Sequence, residues 1–159
     1  MKHIPLTTGG VALVSDRDYA YLMRWQWRRN TGRGNYAVRD APRPNRALIF
    51  MHKVVAARKQ PPIVGQVDHR NQNKLDNQRS NLRAATSSQN KANEGLRSTN
   101  KSGYRGVCWD RRDKTWRACI VVNCRQISLG YYQDKKVAAK AYNQAARKYF
   151  GVFAYQNPI

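Results

Sequence analysis

The sequence predicts an α+β protein built from two small units, and three observations carry that reading. Residues 1–66 alternate short apolar runs with turn signals, the mark of a β-rich platform. Ser98-Thr99-Asn100-Lys101-Ser102-Gly103 is polar and breaks the pattern like a flexible linker. After it come three strand-like runs and then one long helical period. The expected domains are 1–97, a linker at 98–103, and 104–159. A chain of 159 residues has room for two such units but gives each only a modest core.

Ile4 to Leu6 and Val11 to Val14 flank Gly9-Gly10, which predicts a hairpin. Ser15-Asp16 is placed to cap a short helix running through Tyr19, Leu22 and Met23. Trp25-Gln26-Trp27 and Tyr36 to Arg39 read as strands around a turn from Asn30 to Gly34. Leu48 to Met51 reads as a strand and His52 to Arg58 as a helix, ended by Pro61-Pro62. In the C-terminal unit the strands are Tyr104 to Trp109, Thr115 to Val122 and Gln126 to Leu129. Along the second, Trp116, Ala118 and Ile120 share one face, and Arg117, Cys119 and Val121 the other. Asp134 to Phe150 follows as an amphipathic helix with Val137, Ala138, Ala141, Tyr142, Ala145 and Tyr149 on one side, stopped by Gly151. Trp109 and Trp116 are expected in the core. The helix covers one sheet face and leaves the other for a ligand.

Charge narrows the partner. There are 30 Lys+Arg against 9 Asp+Glu, a formal charge of +21. It divides as +9 over residues 1–66, +2 over 67–94 and +10 over 95–159. A chain this basic attracts polyanions, nucleic acid before an anionic membrane. No apolar run approaches the length of a membrane span, and no signal-peptide pattern follows Met1, so no membrane partner and an intracellular, cytoplasmic location are expected. Cys108, Cys119 and Cys124 are odd in number and form no C-x-x-C pair. That speaks against a disulfide framework or a Cys/His zinc site, and for small packed side chains.

The nearly neutral middle segment holds the chemistry. It runs Val67-Asp68-His69, Asp76-Asn77, Asn81-Leu82-Arg83, then Thr86 and Asn90. In order and spacing this resembles the HNH nuclease motif over residues 65–94, in the form with Asn in the last position. The resemblance implies a ββα-metal module, two strands and a helix gripping one divalent ion. Phosphodiester hydrolysis needs an activated water and a stabiliser of developing charge. His69 would take the proton from water, since neutral imidazole titrates near neutral pH. Asp68 and Asn90 would hold the metal with hard oxygens, which suits Mg²⁺ or Mn²⁺ better than zinc. Asn81 would tie the loop carrying His69, and Arg83 would contact phosphate. His52 is a second candidate base, read instead as a packed or helix-start histidine.

Residues 102–155 resemble the AP2 DNA-binding domain, through Ser102-Gly103-Tyr104-Arg105-Gly106-Val107, Trp116-Arg117-Ala118, Leu129-Gly130 and Ala138-Ala139-Lys140-Ala141-Tyr142-Asn143. That family lays its three-stranded sheet in the major groove. By position Arg105, Arg117, Gln126 and Ser128 would face DNA. Cys108 and Asp110 stand where the plant members place arginines, and Gln126 and Ser128 where they place Arg and Trp, so base specificity does not carry over. An HNH centre joined to an AP2-like domain resembles phage-type homing endonucleases, encoded by a phage or its bacterial host. The expected partner is double-stranded DNA, engaged by a monomer with no small-molecule cofactor. Two other readings stand beside it. One is a DNA-binding regulator with an inactive nuclease motif. The other is an RNA binder that stacks bases on the nine tyrosines. Regular strands with alternating basic residues favour duplex DNA.

Overall fold

The computed structural model describes every residue except Arg33 and Arg46. Arg33 belongs to the expected turn from Asn30 to Gly34, and that position lies outside the described residues. The chain divides into two compact units, Met1–Thr86 and Ser87–Ile159.

The first unit opens with an antiparallel hairpin, β1 (Lys2–Pro5) and β2 (Val11–Val14). Its turn is closed by Leu6 N donating to Gly10 O at 3.0 Å. Gly9 and Gly10 have φ of 90° and 83°, open to glycine and strained for other residues. Helix α1 (Asp16–Leu22) follows. Ser15 precedes it as expected but caps nothing with its side chain, because its Oγ accepts from Arg79 N at 2.9 Å.

The strand expected at Trp25–Trp27 forms three residues later, as β3 (Arg28–Asn30). Burial outranks β-propensity here. Trp27 is fully buried, donates from Nε1 to Leu22 O at 2.8 Å and makes only an isolated bridge to Leu6. β3, β4 (Tyr36–Asp40) and β5 (Leu48–Phe50) form an antiparallel sheet that feeds α2 (Met51–Ala57). The core gathers Ile4, Val14, Leu22, Trp27, Met51, Val55 and Leu82.

Three short strands complete the unit. β6 (Gln66–His69) pairs antiparallel with β8 (Leu82–Ala85), setting Asp68 opposite Arg83 and His69 opposite Leu82. β7 (Asp76–Asn77) joins the N-terminal hairpin in parallel, with Leu13 opposite Asp76 and Val14 opposite Asn77. Beneath them Asp18, fully buried, accepts from Arg79 at 2.6 and 2.8 Å and from Arg58 at 3.3 Å.

The second unit contains α3 (Ser87–Asn93), the antiparallel sheet β9 (Val107–Asp110), β10 (Thr115–Val122) and β11 (Arg125–Tyr132), and α4 (Lys135–Phe150). The first strand starts at Val107 rather than Tyr104, and the third runs to Tyr132 rather than Leu129. α4 is capped by Asp134, whose side chain accepts from Lys136 N and Val137 N, and ends at Gly151 with φ 52°. Its buried stripe differs from the expected one. Ala138, Ala139, Tyr142, Asn143 and Ala146 face inward, while Val137 and Tyr149 are exposed. Close approach decides this: alanines let the helix settle on the sheet, and a Cβ on Gly106 would meet the Tyr142 ring at 2.1 Å. Trp109 is 47% exposed, packed edge-on against half-buried Trp116 at 5.0 Å, so only part of the expected tryptophan burial occurs. Cys108 and Cys124 are likewise exposed thiols.

Candidate active site and DNA-facing sheet

The catalytic candidates in the first unit sit on a loop that asparagines hold shut. Asn81 Nδ2 donates to Asp76 O at 2.7 Å and to Asn71 Oδ1 at 2.9 Å, and Asn81 Oδ1 accepts from Asn71 N at 3.1 Å. Arg70 N donates to Asn81 O at 2.9 Å. Asn71 Nδ2 donates to Asp76 Oδ2 at 2.7 Å, and Asn71 and Asn73 close two further turns onto Asn73 N and Leu75 N. Asn81 therefore ties together both ends of the segment that follows His69.

His69 is buried, with its Nε2 3.4 Å from Asn77 Oδ1. Asn77 Nδ2 is occupied by Leu75 O at 3.2 Å, which turns Oδ1 toward the ring. An amide oxygen only accepts, so Nε2 carries the hydrogen and Nδ1 is the basic nitrogen. Burial lowers the His69 pKa, opposed by the Asn77 hydrogen bond and by Asp68 and Asp76, with Lys74 adding to the lowering. The ring is thus neutral, as a base must be. Asp68 faces Arg83 across the β6–β8 ladder, and Arg83 Nε donates to its Oδ2 at 2.7 Å with both side chains buried. The structure therefore gives Arg83 a carboxylate partner.

Two aromatic neighbours complete the centre: His52, which the sequence offers as a second candidate base and as a packed or helix-start histidine, and Tyr36, which the sequence does not flag. His52, the second residue of α2, lies 5.2 Å ring to ring from His69 in an edge contact. Tyr36 of β4 lies 5.0 Å from His52 and 6.0 Å from His69. His52 is 7% exposed, and its Nδ1 has no hydrogen-bond partner among the described residues. Burial, with charge from His69 and Lys53, drives its pKa down to about 3. Tyr36 precedes His69 by a whole sheet and a helix, so no local spacing could have flagged it.

The second unit carries Asn90, on α3 and half-buried. Its sheet keeps one face off α4. By register that face carries Arg117, Cys119 and Val121 from β10, Gln126, Ser128 and Tyr131 from β11, and Cys108 from β9. Arg117, Gln126 and Ser128 thus lie together. Arg105 does not join them. Its guanidinium donates to the carbonyls of Lys91 (2.5 Å), Ala92 (2.9 Å) and Glu94, closing the C-terminal end of α3. Helix-end carbonyls lack intrahelical donors, and the forked guanidinium of one arginine satisfies several at once. Arg105 therefore stands apart from the face that carries the other three expected DNA contacts.

Within the first unit, Asp68 offers a cation a hard carboxylate oxygen. Among the described residues no three His, Cys, Asp or Glu side chains gather as a closed metal cage would require. No helix of the described residues is long and apolar enough to cross a membrane.

Comparison with known proteins follows the same residues. A family model described as HNH endonuclease matches residues 50–92, from the end of β5 through most of α3. An uncharacterized HNH endonuclease of Acanthamoeba polyphaga mimivirus is 30% identical over 151 residues, covering 95% of this chain and 76% of that protein.

Proposed function

The chain belongs to the HNH endonuclease family of phosphodiester hydrolases, and from that membership we propose that it is a homing-type nuclease that cuts double-stranded DNA. The observation that carries the reading is His69: a buried, neutral imidazole with one nitrogen committed to Asn77 and the other basic. In this mechanism Nδ1 of His69 takes a proton from the attacking water. Asn77 fixes the tautomer, and Asn81 holds the backbone that aims the ring. On the sequence resemblance, Asp68 and Asn90 would hold one divalent cation, Mg²⁺ or Mn²⁺. When bound, that ion would neutralise charge developing at the scissile phosphate. Arg83 acts through Asp68 by orienting its carboxylate.

The second unit is proposed to be AP2-like and to grip duplex DNA through the sheet face carrying Arg117, Gln126 and Ser128. Its three-stranded antiparallel sheet backed by one helix supports this, as does the +10 charge of residues 95–159. Incubation with supercoiled plasmid tests the whole reading: nicked or linear product is expected with Mg²⁺ or Mn²⁺ and none with EDTA. One observation favours the alternative of a DNA-binding regulator with a silent motif, namely the Arg83 guanidinium already on Asp68. That alternative requires duplex binding with no product under any divalent ion.

A further inference from the structure

An open groove of about 310 Å³ lies beside the catalytic loop. Arg29 lines it from β3 and Asn35 from the turn just before β4, and Gln72, Asn73 and Lys74 from the loop between β6 and β7. Lys74 Nζ sits 4.8 Å from the centre of the Tyr36 ring, the ring that also lies against His52 and His69. One aromatic ring therefore separates the groove from the expected base. Gly34 makes the lysine's position possible: its φ is 82°, and a Cβ there would stand 2.8 Å from Nζ. Arg29 is anchored by its backbone N to Thr8 Oγ1 at 2.8 Å and by Nε to Asn35 Oδ1 at 3.2 Å.

The charge pattern is uneven. Arg28 pairs with Asp40, Arg58 and Arg79 with Asp18, and Arg83 with Asp68. Among the described residues neither Arg29 nor Lys74 has a carboxylate at ion-pair distance. Two uncompensated cations facing one polar groove attract an anion. A single ring from His69, the anion on offer is the backbone of the strand being cut.

We propose that this groove seats the phosphate next to the scissile one, held between the Arg29 guanidinium and the Lys74 ammonium. The proposal rests on His69 marking the cut. Such a contact binds substrate and transition state alike, so it acts chiefly on affinity.

The test compares wild type with Arg29→Gln, Lys74→Gln and the double variant, each first checked for an unchanged urea midpoint. Duplex binding is measured in EDTA across a salt series. Losing one phosphate contact removes about 0.9 from the slope of log affinity against log salt, so the double variant should be shallower by about 0.9. With metal, the enzyme concentration that gives half-maximal single-turnover cleavage should rise in the double variant. On randomly phosphate-ethylated DNA, wild type should reject molecules modified at the linkage beside each cut, and the double variant should accept them. An unchanged slope, or a double variant that still rejects those molecules, overturns the assignment. So does an unchanged half-maximal enzyme concentration. Wild type that binds duplex but never cuts would sink the nuclease reading instead, and the slope comparison would then judge the groove separately.

Discussion

Acidification should unfold this protein through His52, and substitution of that one residue should remove much of the effect. The His52 pKa falls from 6.5 to about 3 in the folded chain, chiefly through burial. A depressed histidine pKa means the unfolded state binds the proton more readily. The linked stability is complete above about pH 6.5 and drains away as pH falls toward 3. At about pH 4.5 the loss amounts to two units at 1.36 kcal/mol each, or about 2.7 kcal/mol from His52 alone. His52→Phe keeps a flat ring against Phe50 and Tyr36 and removes the titration, together with the unpartnered Nδ1. Urea denaturation of both proteins near pH 7.5 and near pH 4.5 gives the comparison. Wild type should lose about 2.7 kcal/mol more than the variant between the two, with contributions from Asp18 and His69 cancelling. A difference under about 1 kcal/mol would show that His52 is not the neutral buried group its surroundings dictate.

Other outcomes follow from single contacts. Asp18→Ala strands the Arg79 guanidinium, whose side chain is only 18% exposed, and should cost about 3 kcal/mol in thermal or urea unfolding; an unchanged midpoint would rule out the buried ion pair. Gly106→Ala places a Cβ 2.1 Å from the Tyr142 ring and 2.6 Å from Cys119 O at φ 73°, so a loss of several kcal/mol, read as early exchange of β9 and β10 amides, is expected. If those amides stay protected, the close approach of α4 is wrong. His69→Ala should lower cleavage by about a hundred- to ten-thousandfold at matched DNA occupancy, whereas His52→Phe should cut within about tenfold of wild type. Reversal of that order would make His52 the base.

The parts legible in the sequence were those set by local rules. Turn glycines gave the first hairpin, the 3.6-residue period gave α4, and alternation gave the two faces of β10. Asp68, His69 and Asn81 were legible because one short segment carries them at a characteristic spacing. What was missed is set by tertiary packing. Trp27 has high β-propensity but fills the core, so its strand moved to Arg28. The inward stripe of α4 turned toward its smallest residues because the sheet lies so near. Arg105 is basic and sits in an AP2-like stretch, yet the open carbonyls at the end of α3 claimed it. Tyr36 joined His69, beside the packed His52, only because β4, α2 and β6 converge on one core. Each of these results depends on partners distant in sequence.

The two central histidines also show why neighbouring charge matters more than burial in choosing a base. Both rings are buried and both are pushed toward the neutral form. A general base must do more than start neutral, since it has to hold the proton it removes. His69 has that support: Asn77, Asp68 and Asp76 all oppose the lowering by burial. Around His52 the other influences, His69 and Lys53, add to the lowering instead. A proton arriving at His52 would meet a buried site with no compensating carboxylate, and a second imidazole 5.2 Å away. One arriving at His69 Nδ1 would be eased by the Asn77 hydrogen bond on the opposite nitrogen and by two carboxylates. Of the two imidazoles in edge contact, His69 is the one whose neighbours ease an added proton, which is why the proposed mechanism takes it as the base.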